Sequence, residues 1–73
     1  MTRPLTDTEE ALLGIWQHWP ALGERDHRVN AYAALGLTET RATQILNALV
    51  DRPEAWEHDP VTVGRLSRLR SRR

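Results

Sequence analysis

Residues 28–50 read RVNAYAALGLTETRATQILNALV, and the punctuation at Gly36 decides the fold. Ahead of it Val29, Tyr32 and Ala33 recur at three-and-four spacing, with Ala31, Ala34 and Leu35 close by, as on the inward face of a helix running from about Glu24 to Leu35. Gly36 ends that helix, because a residue without Cβ enters the left-handed region freely and helices commonly stop on one. Leu37 then sits in a turn, and the Thr38 hydroxyl is suited to cap a following helix that runs to about Val50. On that helix Ala42, Ile45, Leu46 and Leu49 take the i, i+3, i+4 and i+7 positions, the cleanest amphipathic stripe in the chain.

Outward from this segment the periodicity remains helical. Thr6 and Glu9 form a Thr-x-x-Glu capping box for a first helix whose inward stripe is Leu12, Ile15, Trp16 and Trp19, and Pro20 ends it by disfavouring helical geometry at Trp19. Asp51 and Glu54 read as a second capping box, with Pro53 in the first turn of a short helix carrying Ala55 and Trp56. Asp59 and Pro60 repeat the signature for a last helix with the stripe Val63, Leu66 and Leu69. The expected architecture is all-α: a single small domain over residues 1–73, four to five helices, with residues 70–73 a frayed basic tail.

The chain has 73 residues, ten arginines, no lysine and ten acids, for a formal net charge of zero. That sum conceals a division: residues 1–60 carry all ten acids and five arginines, whereas residues 61–73 carry five arginines and no acid. Asymmetry of this kind points to an anionic partner. A domain this small buries only about 60% of its unfolded surface, so its three tryptophans are expected inside. With no cysteine there is no disulfide, zinc finger or thiol nucleophile. His18, His27 and His58 show no metal-ligand spacing, and Ser67 and Ser71 lack a nucleophile's context, so no enzyme, metal or cofactor is expected. No apolar run approaches the roughly 20 residues of a membrane span, and the expectation is a cytoplasmic protein that does not engage membranes.

Helix, glycine-centred turn and helix from Arg28 to Val50 resemble the helix-turn-helix units of DNA-binding proteins, whose second helix lies in the major groove. Gly36 supplies the turn, Leu37 plugs the corner, and Ala42 and Ile45 stand where core positions belong; Tyr32 departs from the small residue usual four places before the glycine. Setting Thr40 at zero and advancing about 100° per residue, Gln44 falls at about +40°, Asn47 at about −20° and Thr43 at about −60°, nearly opposite the apolar stripe. Gln and Asn hydrogen-bond adenine, Thr meets the thymine methyl, and Arg41 on the flank suits guanine or phosphate. Glu39 and Asp51 oppose DNA; Asp51 has a structural role as a cap, and Glu39 has only cytosine N4 as a partner on DNA. On the last helix Arg65, Arg68 and Arg72 fall within about 60° of one another, widened by Arg70 and Arg73 into a ridge suited to phosphate. A solvated helix end is the alternative reading of that ridge.

The sequence from Leu35 onward also resembles a family of small, helix-turn-helix-like proteins of unknown function from high-G+C Gram-positive bacteria and their phages. The resemblance is carried by Leu35-Gly36-Leu37-Thr38, the run Leu46 to Ala55, Asp59-Pro60, Arg65-Leu66 and Arg68-Leu69-Arg70, with Trp16 and His18 similar to that family's Trp and His. It implies fold and origin and supplies no functional residues. A looser resemblance to the promoter-reading domain of sigma factors implies RNA polymerase as a partner. The expected function is a bacterial or phage DNA-binding transcriptional regulator. Thr40, Arg41, Thr43, Gln44 and Asn47 read bases and Arg65, Arg68, Arg70, Arg72 and Arg73 hold phosphates, in a homodimer contacted through Leu13 and Trp56. The alternative is an adaptor or inhibitor that binds RNA polymerase, a sigma factor or a repressor. Whether the ridge shares a surface with Gln44 and Asn47 decides what the charge balance means.

Overall fold

The computed structural model describes residues 3–71; Arg72 and Arg73, expected in the ridge and the frayed tail, lie outside the described residues. Among the described residues there are five α-helices and no strand: α1 Asp7–His18, α2 Arg25–Ala34, α3 Glu39–Val50, α4 Pro53–His58 and α5 Pro60–Arg70. A single 3-10 turn at Leu22–Glu24 leads into α2. The all-α expectation holds, and most helix ends fall where the caps predict.

Local chemistry explains those ends. Thr6 Oγ1 accepts from the Glu9 N–H at 3.1 Å while the Glu9 carboxylate accepts from the Thr6 N–H at 2.8 Å, the reciprocal box expected for α1. Gly36 adopts φ 77°, and around it the Leu37 N–H donates to Tyr32 O and the Gly36 N–H to Ala33 O, both at 2.9 Å. This is a Schellman closure of α2, open to a residue that accepts positive φ. Two residues on, Thr38 Oγ1 accepts from the Arg41 N–H at 3.1 Å and starts α3. Asp59 accepts from the Thr62 N–H at 3.1 Å and starts α5, with Pro60 in the first turn. The box expected at Asp51 and Glu54 does not form. Arg52 occupies the N-cap of α4 without a side-chain cap bond, because the Asp51 carboxylate is drawn to Arg70, a charge-assisted partner, and Glu54 lies 3.5 Å from Arg52 Nε.

α3 is the central helix and touches each of the other four. Its buried face, Ala42, Leu46, Leu49 and Val50, meets Leu12 and Leu13 of α1, Tyr32 of α2, Ala55 of α4 and Val63 and Leu66 of α5. Leu13, expected to stand off the stripe as a dimer contact, is 0% exposed. α1 packs against α2, α3 and α5 at once, so its apolar face is wider than a single stripe, and Leu13 is core. The tryptophans, expected inside, stay nearer the surface: Trp16 and Trp19 are half-buried and Trp56 is exposed while its indole N–H donates to Val50 O at 2.8 Å.

The inward face of α2 also differs from its periodicity. Ala33 is exposed and Val29 half-buried, whereas Arg28 and Tyr32 are buried at 4% and 3% exposure. The Arg28 guanidinium donates to Trp19 O at 2.8 Å and Ala21 O at 2.6 Å and lies 4.0 Å from the centroid of the Trp16 ring. The Trp19 carbonyl at the end of α1 carries negative partial charge, the Ala21 carbonyl adds a second acceptor, and an indole face attracts a cation, so the buried guanidinium is satisfied without a carboxylate. Trp16 Nε1 in turn donates to the Tyr32 hydroxyl at 2.9 Å, which gives the bulky residue near the corner a polar partner. Burial pushes the Tyr32 phenol above its ordinary value.

A second link joins the chain's beginning to α4. Arg52 donates to both Glu9 oxygens at 3.1 Å and to Arg3 O, and Arg3 lies 3.4 Å from Glu9. Burial raises the Glu9 carboxyl, but the Thr6 N–H and the two arginines outweigh it and hold the group below the ordinary glutamate value.

Two measurements test these links. Arg28→Met keeps the aliphatic stem but leaves Trp19 O without its donor and Ala21 O with only the Glu24 N–H, and is expected to cost about 1–3 kcal/mol as a lower urea midpoint at unchanged slope. The Glu9 carboxyl titrates lower in the fold than in the unfolded chain. Its stabilisation is therefore complete above the unfolded value of about 4.3 and is lost as pH falls through the folded one. Glu9→Gln, which can still cap, is expected to flatten the fall in stability between about pH 5 and pH 3 in urea unfolding.

Candidate nucleic-acid interface

Because Ala42, Leu46 and Leu49 face the core, helical geometry turns Thr40, Arg41, Thr43, Gln44 and Asn47 to solvent, and all five are exposed. Arg41 is the one charged side chain of this set, and among the described residues no carboxylate pairs with it. Its Nη1 donates to Gln44 Oε1 at 3.4 Å, one turn along the helix.

The two acids that argued against an anionic ligand are each held by an arginine. Glu39, the first residue of α3, accepts from Nε of Arg25, the first residue of α2, at 2.6 Å and from its Nη2. This bidentate pair bridges the starts of the two helices, and the hydrogen bond from Arg25 holds the Glu39 carboxyl below its ordinary value. Asp51, just past the end of α3, accepts from Arg70 at 3.2 and 3.1 Å, and Arg70 also donates to Asn47 O at 3.3 Å. The Arg70 hydrogen bond likewise lowers Asp51. The α3 face therefore carries hydrogen-bonding groups with its flanking carboxylates neutralised.

Arg70 also orients the ridge. At about 100° per residue, Arg65 and Arg68 lie about 140° and 160° around α5 from Arg70. Since Arg70 reaches α3, those two point away from it. They line a depression of about 200 Å³ with Pro20, Leu22 and Leu69. A separate groove of about 340 Å³ runs between α3 and α5, with Thr43, Asn47 and Arg70 at its rim and Trp16, Leu46, Leu66 and Leu69 in its walls. Leu69 borders both. The fold thus brings Thr43, Asn47 and Arg70 together and sets Arg65 and Arg68 on the other side of Leu69. Arg25 and Trp16 are site elements that the local pattern does not reveal: Arg25 meets an acid 14 residues away, a separation with no periodic signature.

The histidines are used differently. The His27 ring stacks on Trp19 with centroids 5.6 Å apart, and His18 meets the edge of Trp19 at 4.6 Å. Among the described residues no three His or acid side chains gather as metal ligands, and no helix is long and apolar enough to cross a membrane.

The family model described as "Protein of unknown function (DUF3263)" matches residues 4–73. The chain belongs to that family. The match takes in all five helices. No curated protein and no solved structure matches the chain. The description attaches no activity to DUF3263.

The clamp at the start of α3 has a direct readout. Arg25→Gln removes the cation beside Glu39, and the Glu39 carboxyl is expected to titrate at higher pH, toward the ordinary glutamate range, in a side-chain NMR titration.

Proposed function

We propose that the protein is a bacterial or phage-encoded transcriptional regulator that binds double-stranded DNA by laying α3 in the major groove. The supporting observation is the α3 face: five exposed residues of base-reading chemistry, with Glu39 and Asp51 neutralised by Arg25 and Arg70. In this reading α2, the Gly36 turn and α3 form the helix-turn-helix, and the Arg25–Glu39 clamp fixes the approach of the two helices. Gln44 and Asn47 hydrogen-bond base edges, Thr40 and Thr43 add methyl contacts, and Arg41 takes guanine or phosphate. Arg70, beside Asn47, keeps Asp51 and offers its remaining N–H groups to a phosphate oxygen at the groove edge. So few contacts bind weakly in one copy, so recognition uses more than one.

A second reading makes the protein an adaptor or inhibitor of RNA polymerase, a sigma factor or a repressor. It is favoured by the apolar walls of the α3–α5 groove, which fit a partner's side chains better than a phosphate backbone.

Selection on random duplexes at low salt, followed by anisotropy on the winners, tests the first reading. Gln44→Ala with Asn47→Ala is expected to reduce preferred-site affinity about 5- to 150-fold for each base contact of about 1–3 kcal/mol, with non-specific binding retained. No duplex bound at low salt, in selection or mobility shift, overturns it. Capture of polymerase subunits that survives this double substitution and fails with Leu69→Arg supports the second.

A further inference from the structure

The arginines that point away from α3 are open to another anionic ligand. Arg65 and Arg68 are exposed, pair with no carboxylate among the described residues, and share their depression with Leu22, which is 62% exposed. The same molecule carries the complementary surface. A depression between the start of α1 and α4 is lined by Pro4, Leu5, Glu10, Glu54, Glu57 and His58. Within it Glu54 is held by Arg52, but Glu10 faces only His58, at 3.8 Å, and exposed Glu57 has no cation beside it among the described residues. One surface offers two arginines around a leucine; the other offers two carboxylates around Leu5.

Their placement decides the geometry. α1 is 12 residues long, about 18 Å at 1.5 Å per residue. Leu5 and Glu10 stand toward its start and Pro20 and Leu22 beyond its end, and among the described residues no ion pair joins the two surfaces within one chain. A two-fold contact through either surface would oppose arginine to arginine or glutamate to glutamate. Opposite charges meet when one surface of a copy takes the other surface of its neighbour, and such a contact, made once per pair, is head-to-tail.

We propose that the Arg65–Arg68–Leu22 depression receives the acidic α1–α4 end of a second copy of this chain, so that copies associate in a row. The contact is small and largely exposed, and is therefore weak and salt-sensitive. It leaves α3 uncovered. On the DNA-binding reading, a row presents successive α3 helices to one duplex and supplies by multivalency the affinity that a single helix lacks; the association itself does not depend on that reading.

Sedimentation velocity of the full chain without DNA tests it. The average mass of the wild type is expected to rise with concentration at ~20 mM salt and return to that of one chain at ~300 mM, where screening is short-ranged. Arg65→Glu with Arg68→Glu, and separately Glu10→Arg with Glu57→Arg, are each expected to weaken association roughly tenfold or more. Mixed in equal amounts, the two variants are expected to associate again, because each offers the surface the other lacks, a recovery that misfolded chains would not show. A wild type that stays single at every concentration overturns the proposal, as does a variant that associates alone or a mixture that stays single. A single-chain wild type whose Arg65→Glu, Arg68→Glu variant loses duplex affinity also overturns it and assigns the ridge to phosphate. Absence of duplex binding alongside restored association in the mixture would sink only the DNA reading.

Discussion

A buried guanidinium holds the first two helices in place, and the position of α3 depends on it. Arg28 donates to the Trp19 and Ala21 carbonyls where α1 ends, lies over the Trp16 ring, and leaves that indole N–H aimed at the Tyr32 hydroxyl. A cation at this depth is tolerated because two backbone carbonyls and an indole face supply the acceptors a carboxylate otherwise would. With α2 fixed against α1, the Schellman turn at Gly36 and the Arg25–Glu39 pair determine how α3 leaves the corner. The polar cluster and the apolar core cooperate here: α3 is buried on one side by Leu12, Leu13 and Leu66 and set in direction on the other by polar bonds.

The zero net charge resolves into distinct uses of arginine. Arg3 and Arg52 gather around Glu9, Arg25 neutralises Glu39, Arg70 neutralises Asp51, and Arg28 is satisfied by carbonyls. Among the described residues this leaves Arg41, Arg65 and Arg68 as exposed arginines without a carboxylate. They stand in two places, one beside the hydrogen-bonding face of α3 and two beyond Leu69. The division of charge along the sequence therefore does not map onto one basic surface, because Arg70 sits in the middle of the basic segment and turns toward α3.

Fold and site differ in how far they can be read from the residues. The ends at Thr6, Gly36, Thr38 and Asp59 follow from bonds between residues three to five apart, and the outward set Thr40, Thr43, Gln44 and Asn47 follows from helical angle alone once Ala42, Leu46 and Leu49 are known to be core. The reading fails where a side chain has a choice of partners. Asp51 has the sequence of a cap and the structure of an ion-pair partner; Leu13 looks peripheral on its helix and is fully buried. Arg28 has the hydropathy of a surface residue and the burial of a core one, because its length lets it reach two carbonyls while its plane covers Trp16.

By itself the sequence determined the all-α class, the caps at Thr6, Thr38 and Asp59, the left-handed turn and the polar face of α3, all products of contacts within about one turn of backbone. Tertiary structure alone decided which charges remain available. The pairs Arg25–Glu39, Arg70–Asp51 and Arg52–Glu9 join residues 14, 19 and 43 positions apart, and no periodicity encodes such separations. Only packing brings those groups within hydrogen-bonding reach, and so only the fold shows that the α3 face is free of bare carboxylates while Arg65 and Arg68 look elsewhere.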